Sequence, residues 1–175
     1  MKTSNKILSG LFVGLTLVVL TGFIIFHSSL VPKGIGKGKN IITGNGISSK
    51  IQPEMIGYSD LKINGSFEVI LEQGKEYVEI EGEENILKHL YIKVEENQEL
   101  RIAPKKEYSL IPGKPIRIKI GFDSLHQVNL GQGAQLSNSG QLKLDQLSLK
   151  TYQHSRTVLN MTSKNLWIRS QTTAW

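Results

Sequence analysis

Apolar and polar residues alternate along most of the chain after residue 60. Six segments show the alternation: residues 61–63, 67–71, 77–81, 90–94, 100–102 and 116–120. Because successive side chains of a β-strand point to opposite faces, a period of two predicts half-buried strands rather than helices. Gly, Asn and Pro residues separate the segments, as in Asn64-Gly65 and Pro112-Gly113, and indicate turns.

One stretch departs from this alternation. Residues 83–90 begin with Glu83 and Glu84 and contain Lys88 and His89 near their end. Acidic residues at the start and basic residues at the end suit the helix dipole, so the stretch predicts one or two helical turns. The expected fold is therefore all-β with at most a short helix.

The C-terminal third contains a repeat. Residues 128–130, 147–149 and 166–168 each read apolar-x-apolar, and consecutive copies are 19 residues apart. A short strand that recurs at a fixed period predicts a parallel β-helix or β-solenoid, in which successive coils stack and extend one core. An antiparallel β-sandwich is the alternative fold.

The chain stops at Trp175, soon after the third copy, without a segment that could cap the last coil. An uncapped end exposes an unpaired strand edge. We therefore expect the β domain, residues 41–175, to be incomplete at its C-terminus. Its open end would then be covered by a further coil, by a partner, or by a second copy through self-association.

An uncharged apolar run occupies residues 7–26. At about 1.5 Å per residue, such a helix spans roughly 30 Å, the thickness of a bilayer core. No Ala-x-Ala-like cleavage site follows the run, which favours an uncleaved signal anchor over a cleaved signal peptide. Residues 1–6 are then a short tail before a transmembrane helix whose partner is the lipid bilayer.

The formal net charge of +6 belongs to the membrane end of the chain. Six lysines and no acidic residue precede position 51, so the remaining basic and acidic residues balance. Lys33, Lys37 and Lys39 lie in a Gly- and Lys-rich linker, residues 27–40, and are predicted to contact anionic lipid headgroups. A β domain without net charge argues against binding to nucleic acid.

The balanced domain is nevertheless uneven. Acidic residues outnumber basic ones in residues 51–99, and the reverse holds in residues 100–175. One interpretation is that complementary strands pair these charges across their edges. The other is a bipolar surface that orients partners.

The sequence predicts no catalytic, cofactor-binding or metal site. The chain has no cysteine, which excludes disulfides and thiolate ligands. Asp123, Ser124 and His126 are close in sequence, but in a strand Asp123 would point away from the other two, and no nucleophile motif accompanies them. We therefore expect neither enzymatic activity nor a cofactor.

Polar and aromatic residues near the C-terminus form a candidate contact surface for an unknown protein or glycan. They are Tyr152, His154, Arg156, Trp167 and Trp175. Aromatic rings can stack on sugars or peptides while their polar atoms stay hydrated. The alternative is that Trp167 is an ordinary exposed strand residue and that Trp175 packs against a neighbouring coil.

Three segments resemble a known family: Ile42-Thr-Gly-Asn-Gly46, residues 58–74 and Glu83-Glu-Asn-Ile-Leu87. The similarity continues through residues 100–102 and 115–120 and covers roughly residues 42–170. The chain resembles the putative auto-transporter adhesin, head GIN domain family of Bacteroidetes-type surface proteins. The resemblance implies a right-handed β-helix-like stack at the cell envelope, on the exported side of the membrane, and it supplies no catalytic residues.

Anchor, repeat and resemblance together predict a membrane-anchored, adhesive binding or structural module of the cell envelope, without catalysis. The alternative function is an envelope enzyme that processes polysaccharide on a β-helix scaffold. Acidic residues become rare where the repeats begin, which argues against a catalytic groove there.

Overall fold

The computed structural model describes residues 39–131, 133–152 and 154–171. These residues form fourteen strands and the short helix α1 (Glu84–Leu87). The strands are β1 (Asn40–Thr43), β2 (Ser48–Ile51), β3 (Asp60–Asn64), β4 (Phe67–Gln73), β5 (Tyr77–Glu83), β6 (Leu90–Val94), β7 (Glu99–Pro104), β8 (Tyr108–Ile111), β9 (Ile116–Phe122), β10 (Gln127–Gly131), β11 (Gln135–Asn138), β12 (Leu142–Tyr152), β13 (Arg156–Thr157) and β14 (Met161–Gln171).

The strands form two six-stranded sheets and one two-stranded sheet. The first sheet has the order β14-β12-β10-β3-β7-β6, and the second has the order β13-β11-β4-β9-β5-β2. Strand β1 pairs with β8 alone. In the described residues most neighbours are parallel, and the antiparallel pairs are β2–β5, β5–β9 and β6–β7. The sheets are therefore mixed, which does not fit the alternative of an antiparallel sandwich.

Successive strands alternate between the two large sheets. The pairs β3–β4, β10–β11 and β12–β13 each give one strand to the first sheet and one to the second. Each pair lies parallel to the next in both sheets. The core lies between the sheets and is built from the apolar residues of the alternating pattern, such as Leu61, Ile63, Val69 and Leu71, all at most 1% exposed.

Aliphatic residues of neighbouring strands align across the first sheet. One such column runs through all six strands and consists of Val94, Leu100, Leu61, Val128, Leu149 and Ile168. Burial of this apolar surface is the main favourable contribution to folding. The column shows why every strand of the sheet needs an apolar residue at the same level.

The predicted 19-residue period is correct for one step and wrong for the other. Leu147 pairs with Leu166, as the repeat predicts. Val128, however, pairs with Leu149 rather than with Leu147, because the segment from Val128 to Leu149, which contains β11, is two residues longer than the segment from Leu149 to Ile168. Since side chains alternate with a period of two, this shift keeps the same residues facing the core.

The strands predicted from alternation are confirmed, as is the short helix, whose Ile86 and Leu87 are buried. Asn40, placed in the predicted linker, is the first residue of β1. The described residues contain no helix with the length and apolarity needed to cross a bilayer. The predicted anchor at residues 7–26, Lys33, Lys37 and Trp175 all lie outside the described residues.

Strand β14 forms an exposed edge of the first sheet. Its Leu166 and Ile168 have the same register as buried Leu147 and Leu149 of β12, yet they are 46% and 65% exposed. Only β12 pairs with β14, so the second long edge of β14 is open in the described part of the chain. Leu166 and Ile168 therefore continue the inward-facing columns of the sheet but are exposed to solvent at this edge.

A buried carboxylate joins the N-terminal strands to the rest of the domain. Glu83, 1% exposed, accepts hydrogen bonds from the backbone N–H groups of Gly46 at 2.6 Å, Gly113 at 2.7 Å and Lys114 at 3.3 Å. These bonds favour the ionised form and hold the pKa of Glu83 below its ordinary value, against the opposing effect of burial. The β1–β2 and β8–β9 turns are thus fixed to the same group.

Candidate ligand-binding face

The outward face of the first sheet carries a row of basic residues. Each residue occupies the position between two inward-facing residues of its strand, and the register places them side by side across all six strands. From β6 to β14 this cationic row consists of Lys93, Arg101, Lys62, Asn129, Lys150 and Arg169, with Asn129 as its neutral member. Like charges on directly opposite residues destabilise a sheet, so the cationic row lowers the stability of the first sheet.

Carboxylates partly neutralise one half of the cationic row. The nearest outward-facing level contains Glu95, Glu99 and Asp60 on the β6 side of the sheet. Lys93 Nζ lies 3.5 Å from Glu95 Oε2, and Lys62 Nζ lies 3.9 Å from Glu99 Oε1. The lysines of these pairs are exposed and the carboxylates are half-buried, and one exposed partner is enough for solvent to screen the attraction, so each pair contributes little to stability.

The other half of the row has no such partners. At the same level, β10 and β12 carry Gln127 and Ser148 in place of acids. Lys150 Nζ donates a hydrogen bond to Gln127 Oε1 at 3.2 Å. Neither Lys150 nor Arg169 forms an ion pair with another described residue. Positive charge therefore remains available at the β12–β14 side.

Arg101 lies in the cationic row and is partly buried. Its guanidinium carbon is 5.9 Å from the centre of the Tyr91 ring, within the range of a cation–π contact. Its Nε is buried and has no hydrogen-bond partner in the described structure. Tyr91 instead donates to Glu95 at 2.8 Å, and this bond raises the pKa of Tyr91 and lowers that of Glu95.

A cleft opens beside Arg101, between the end of β3 and the β7–β8 turn. Its volume is about 390 Å³. The lining includes four basic residues and no acidic one; the basic residues are Lys39, Arg101, Lys105 and Lys106. Asn64 and Ser109 add polar groups to the same wall. We call this space the Arg101 cleft; a second, neighbouring cleft shares Arg101 with it and adds Tyr91 and Glu107.

The outward face of the second sheet has a different charge pattern. There, Lys50, Glu81, Arg117 and Glu68 alternate in sign from strand to strand. Arg117 Nε lies 3.0 Å from Glu68 Oε2. Glu79 lies 3.0 Å from Lys50 and 3.8 Å from Lys119, and the hydrogen bond from Lys50 lowers its pKa. Charge pairing between strands thus describes β2, β5, β9 and β4 of the second sheet, whereas Arg156 of β13 and, in the first sheet, Lys150 and Arg169 have no ion pair with a described residue.

The predicted contact surface is divided between different parts of the fold. Trp167, 56% exposed, lies on the outward face of β14, two residues before Arg169. Tyr152 ends β12 on the same face. Arg156 belongs to β13 in the second sheet, and His154 occupies the intervening turn with a left-handed φ of 62°. Trp167 and Tyr152 therefore share the face of the cationic row, and Arg156 does not.

One further group, predicted from the sequence to be inert, has ordinary surroundings. Asp123, Ser124 and His126 lie in the β9–β10 loop, exposed beside Lys143 and Asp145. Among the described residues, no three His, Cys, Asp or Glu side chains come together as a metal site. Lys39, predicted to contact lipid, lies next to β1 and lines the Arg101 cleft.

Sequence reasoning missed the cationic row because the row depends on register. A local signal was present: a basic residue stands between two inward positions in 61–63, 92–94, 100–102, 149–151 and 168–170. Alignment of the strand segments on their apolar residues would have revealed it, with 128–130 as the exception.

The described residues thus form an all-β domain with an exposed polar and basic sheet face. Residues 57–174 match the family described as putative auto-transporter adhesin, head GIN domain, and the chain belongs to that family. This confirms the family predicted from the sequence. No similar chain was found among curated proteins.

Solved structures show the same fold. A putative adhesin from Bacteroides fragilis is similar with a TM-score of 0.68 at 15% identity, over 75% of this chain and 62% of that one. A putative lipid binding protein from Parabacteroides distasonis gives 0.56 at 20% identity, over 76% and 63%. A putative adhesin from Parabacteroides merdae gives 0.59 at 18% identity, over 71% and 55%. This chain spans less than two thirds of each of these three structures.

Proposed function

We propose that this protein is a membrane-anchored binding module of the cell envelope that adheres to a ligand through the outward face of its first sheet and catalyses no reaction. Residues 7–26 would hold it in the bilayer, with the β domain on the exported side. The coils would form a right-handed β-helix-like stack that displays this face.

The unpaired cations of the first sheet carry this proposal. Lys150 and Arg169 lie beside exposed Trp167 on a face where the strands could have paired their charges, as those of the second sheet do. A surface that keeps like charges adjacent loses stability locally, which is typical of a surface used for binding. Membership of an adhesin family supports the same conclusion.

Catalysis finds little support on this face. Acid–base chemistry needs a titratable group whose pKa is shifted towards its task, and such groups normally lie in a cleft. In the described residues, the carboxylates with shifted pKa values have lowered values through ordinary hydrogen bonds and ion pairs. A polysaccharide-processing enzyme is therefore the weaker proposal.

A lipid ligand is the second candidate. One structural relative is described as a putative lipid binding protein. The Arg101 cleft, with basic and polar lining, could receive a charged headgroup but offers few apolar residues for acyl chains.

The proposal is tested with the full chain, expressed in a bacterial host. Cell fractionation and protease treatment of intact cells should locate it in the membrane with its β domain outside the cytoplasm. The purified chain in uncharged detergent should bind components on an array of glycans and envelope fractions, and mass spectrometry of the bound glycans should show no shortening.

Trp167→Ala should weaken binding on that array, whereas Val158→Ala, an equally exposed apolar change outside the first sheet, should not. A soluble, cytoplasmic chain would contradict the anchor. Cleavage of any bound glycan would contradict a purely adhesive role.

A further inference from the structure

We infer that the ligand is a polysaccharide with repeated anionic groups, which lies across the strands along the cationic row and places one acidic group in the Arg101 cleft. This inference rests on the proposed function and specifies the chemistry of its ligand. The acidic groups are carboxylates, phosphates or sulfates carried by the sugar chain.

The shape of the row favours an extended ligand. Neighbouring strands of a sheet are about 4.8 Å apart, so six strands place the row's ends roughly 24 Å from each other. The basic residues stand at every strand except β10, where Asn129 takes the position. A single small anion would meet one or two of these side chains, whereas a chain with regularly spaced charges meets all of them.

Arg101 provides the most specific anchor in this row. Arg101 lines the cleft, and the fork of a guanidinium binds carboxylate or phosphate through two parallel hydrogen bonds. Lys39, Lys105 and Lys106 surround the same cleft, and its volume of about 390 Å³ falls in the range of small-ligand sites.

The surroundings of the row favour sugar over other polyanions. Asn129, Gln127 and Ser148 present amide and hydroxyl groups that can bond to sugar hydroxyls. Tyr152 and Trp167 lie on the same face and can stack on sugar rings. Glu95 and Glu99 lie next to the row, and basic and acidic residues balance after position 50, so the row suits a chain whose anionic groups are spaced apart better than the dense phosphates of nucleic acid.

Binding of the full chain in uncharged detergent to immobilised polygalacturonate and dextran sulfate tests the inference, with uncharged dextran as the reference. We expect binding to both anionic polymers, loss of binding as salt is raised, and no binding to dextran. Lys150→Gln/Arg169→Gln should weaken binding about fivefold, because two charge contacts of about 0.5 kcal/mol each are lost.

Lys119→Gln/Arg117→Gln is the matched control. It removes the same charge from the outward face of the second sheet and should leave affinity within about twofold. Arg101→Gln should weaken binding of the polymers and abolish competition by free galacturonate. Compared with Arg101→Gln, Arg101→Lys should restore polymer binding and competition by free galacturonate only in part, since an ammonium group lacks the guanidinium fork.

Several results would overturn the inference. Equal loss of affinity in the control pair would show that total charge, not the row, governs binding. Tighter binding to polyadenylate or to phosphatidylglycerol vesicles than to the glycans would assign the row to another class of ligand. If the chain binds envelope fractions but neither anionic glycan, the inference fails and the proposed function stands; if it binds none of these, both fail.

Discussion

At the scale of single residues, Glu83 shows how a buried charge can serve as a structural joint. Its carboxylate is removed from solvent, yet three backbone N–H groups replace the lost water. The glycines around it leave the necessary room: a Cβ added at Gly44 would overlap the Glu83 carboxylate. Close approach of backbone to carboxylate therefore requires glycine at this position.

Gly44→Ala should lower the free energy of unfolding by about 1–3 kcal/mol, the usual cost of overpacking a filled site. Chemical denaturation monitored by tryptophan fluorescence or circular dichroism measures the change. In a Glu83→Ala background the overlap no longer exists, so the same substitution should cost clearly less. Equal costs in the two backgrounds would mean that the Glu83 carboxylate is not what excludes a side chain from position 44.

Gln98 adopts a left-handed backbone conformation with φ of 61° in the β6–β7 hairpin. This conformation costs a non-glycine residue about 1–2 kcal/mol, and glycine avoids that cost. Glycine in turn adds roughly 0.5–1 kcal/mol of conformational entropy to the unfolded chain, which offsets part of the benefit. Gln98→Gly should therefore raise the free energy of unfolding by about 0.5–1 kcal/mol in denaturant titration. Asn97→Gly, one residue earlier, should lower it or leave it unchanged; a gain there too would argue against a strain specific to position 98.

At the scale of elements, strands β12 and β14 differ although their sequences run in matching register. Leu149 and Ile168 occupy adjacent positions in one aliphatic column, but Leu149 is 4% exposed and Ile168 is 65% exposed. The difference comes from the neighbours on each side: β12 lies between β10 and β14, whereas β14 pairs only with β12 in the described residues. Position in the stack, not residue type, determines how much each side chain stabilises.

Leu149→Ala should therefore destabilise the full chain by about 2–5 kcal/mol, as expected for a cavity in a core. Ile168→Ala should cost less than about 0.5 kcal/mol, as expected for an exposed position. Thermal unfolding of the two variants at several protein concentrations compares them. A large cost for Ile168→Ala that grows with protein concentration would show that a second copy covers β14.

The strands themselves could be predicted because their signal is local. The apolar–basic–apolar pattern of Leu61, Lys62 and Ile63 is enough to predict the buried and the exposed face of a strand, without information from any other segment. The pairing of β3 with β10 and β7 could not be predicted, since it depends on how distant segments align. For the same reason, Arg101 and Lys150 were ordinary strand residues in the sequence and became members of one row only in the fold. Trp167 could be named as a candidate from the sequence because an aromatic side chain can stack on sugars or peptides whichever strand carries it.

At the scale of the whole molecule, the outward faces of the two sheets differ in how their charges are arranged. Alternating signs on the second sheet give ion pairs such as Arg117 with Glu68. The first sheet keeps Lys150 and Arg169 outside any ion pair with the described residues. Strands of the acid-rich first half and the base-rich second half alternate only towards the β6 and β2 ends of the sheets. At the other ends, β10, β12 and β14 of the first sheet and β11 and β13 of the second sheet all belong to the base-rich half.

Acid should destabilise the protein through its paired carboxylates. The pKa values of Glu79, Glu83 and Glu95 are lowered from an ordinary value of 4.5, so their stabilising contribution is complete above about pH 4.5 and is lost as pH falls through the lower folded-state values. The melting temperature should accordingly decrease as the pH is lowered beyond about 4.5. Glu83→Gln should melt at a lower temperature at neutral pH and show a shallower decline in acid. An unchanged slope for this variant would contradict the role assigned to Glu83.

The arrangement of β1 has a mechanical consequence for the proposed membrane-anchored module, which would be pulled from its N-terminal side. Strand β1 pairs with β8 alone, through four residues on each strand, and the turn that follows it is fastened at Gly46 to Glu83. A tensile force entering at Lys39 would reach this short pairing first and the Glu83 fastening, at the end of β5 in the second sheet, second. The tether would then lengthen in steps and absorb sudden loads, while the proposed ligand stays bound to the first sheet.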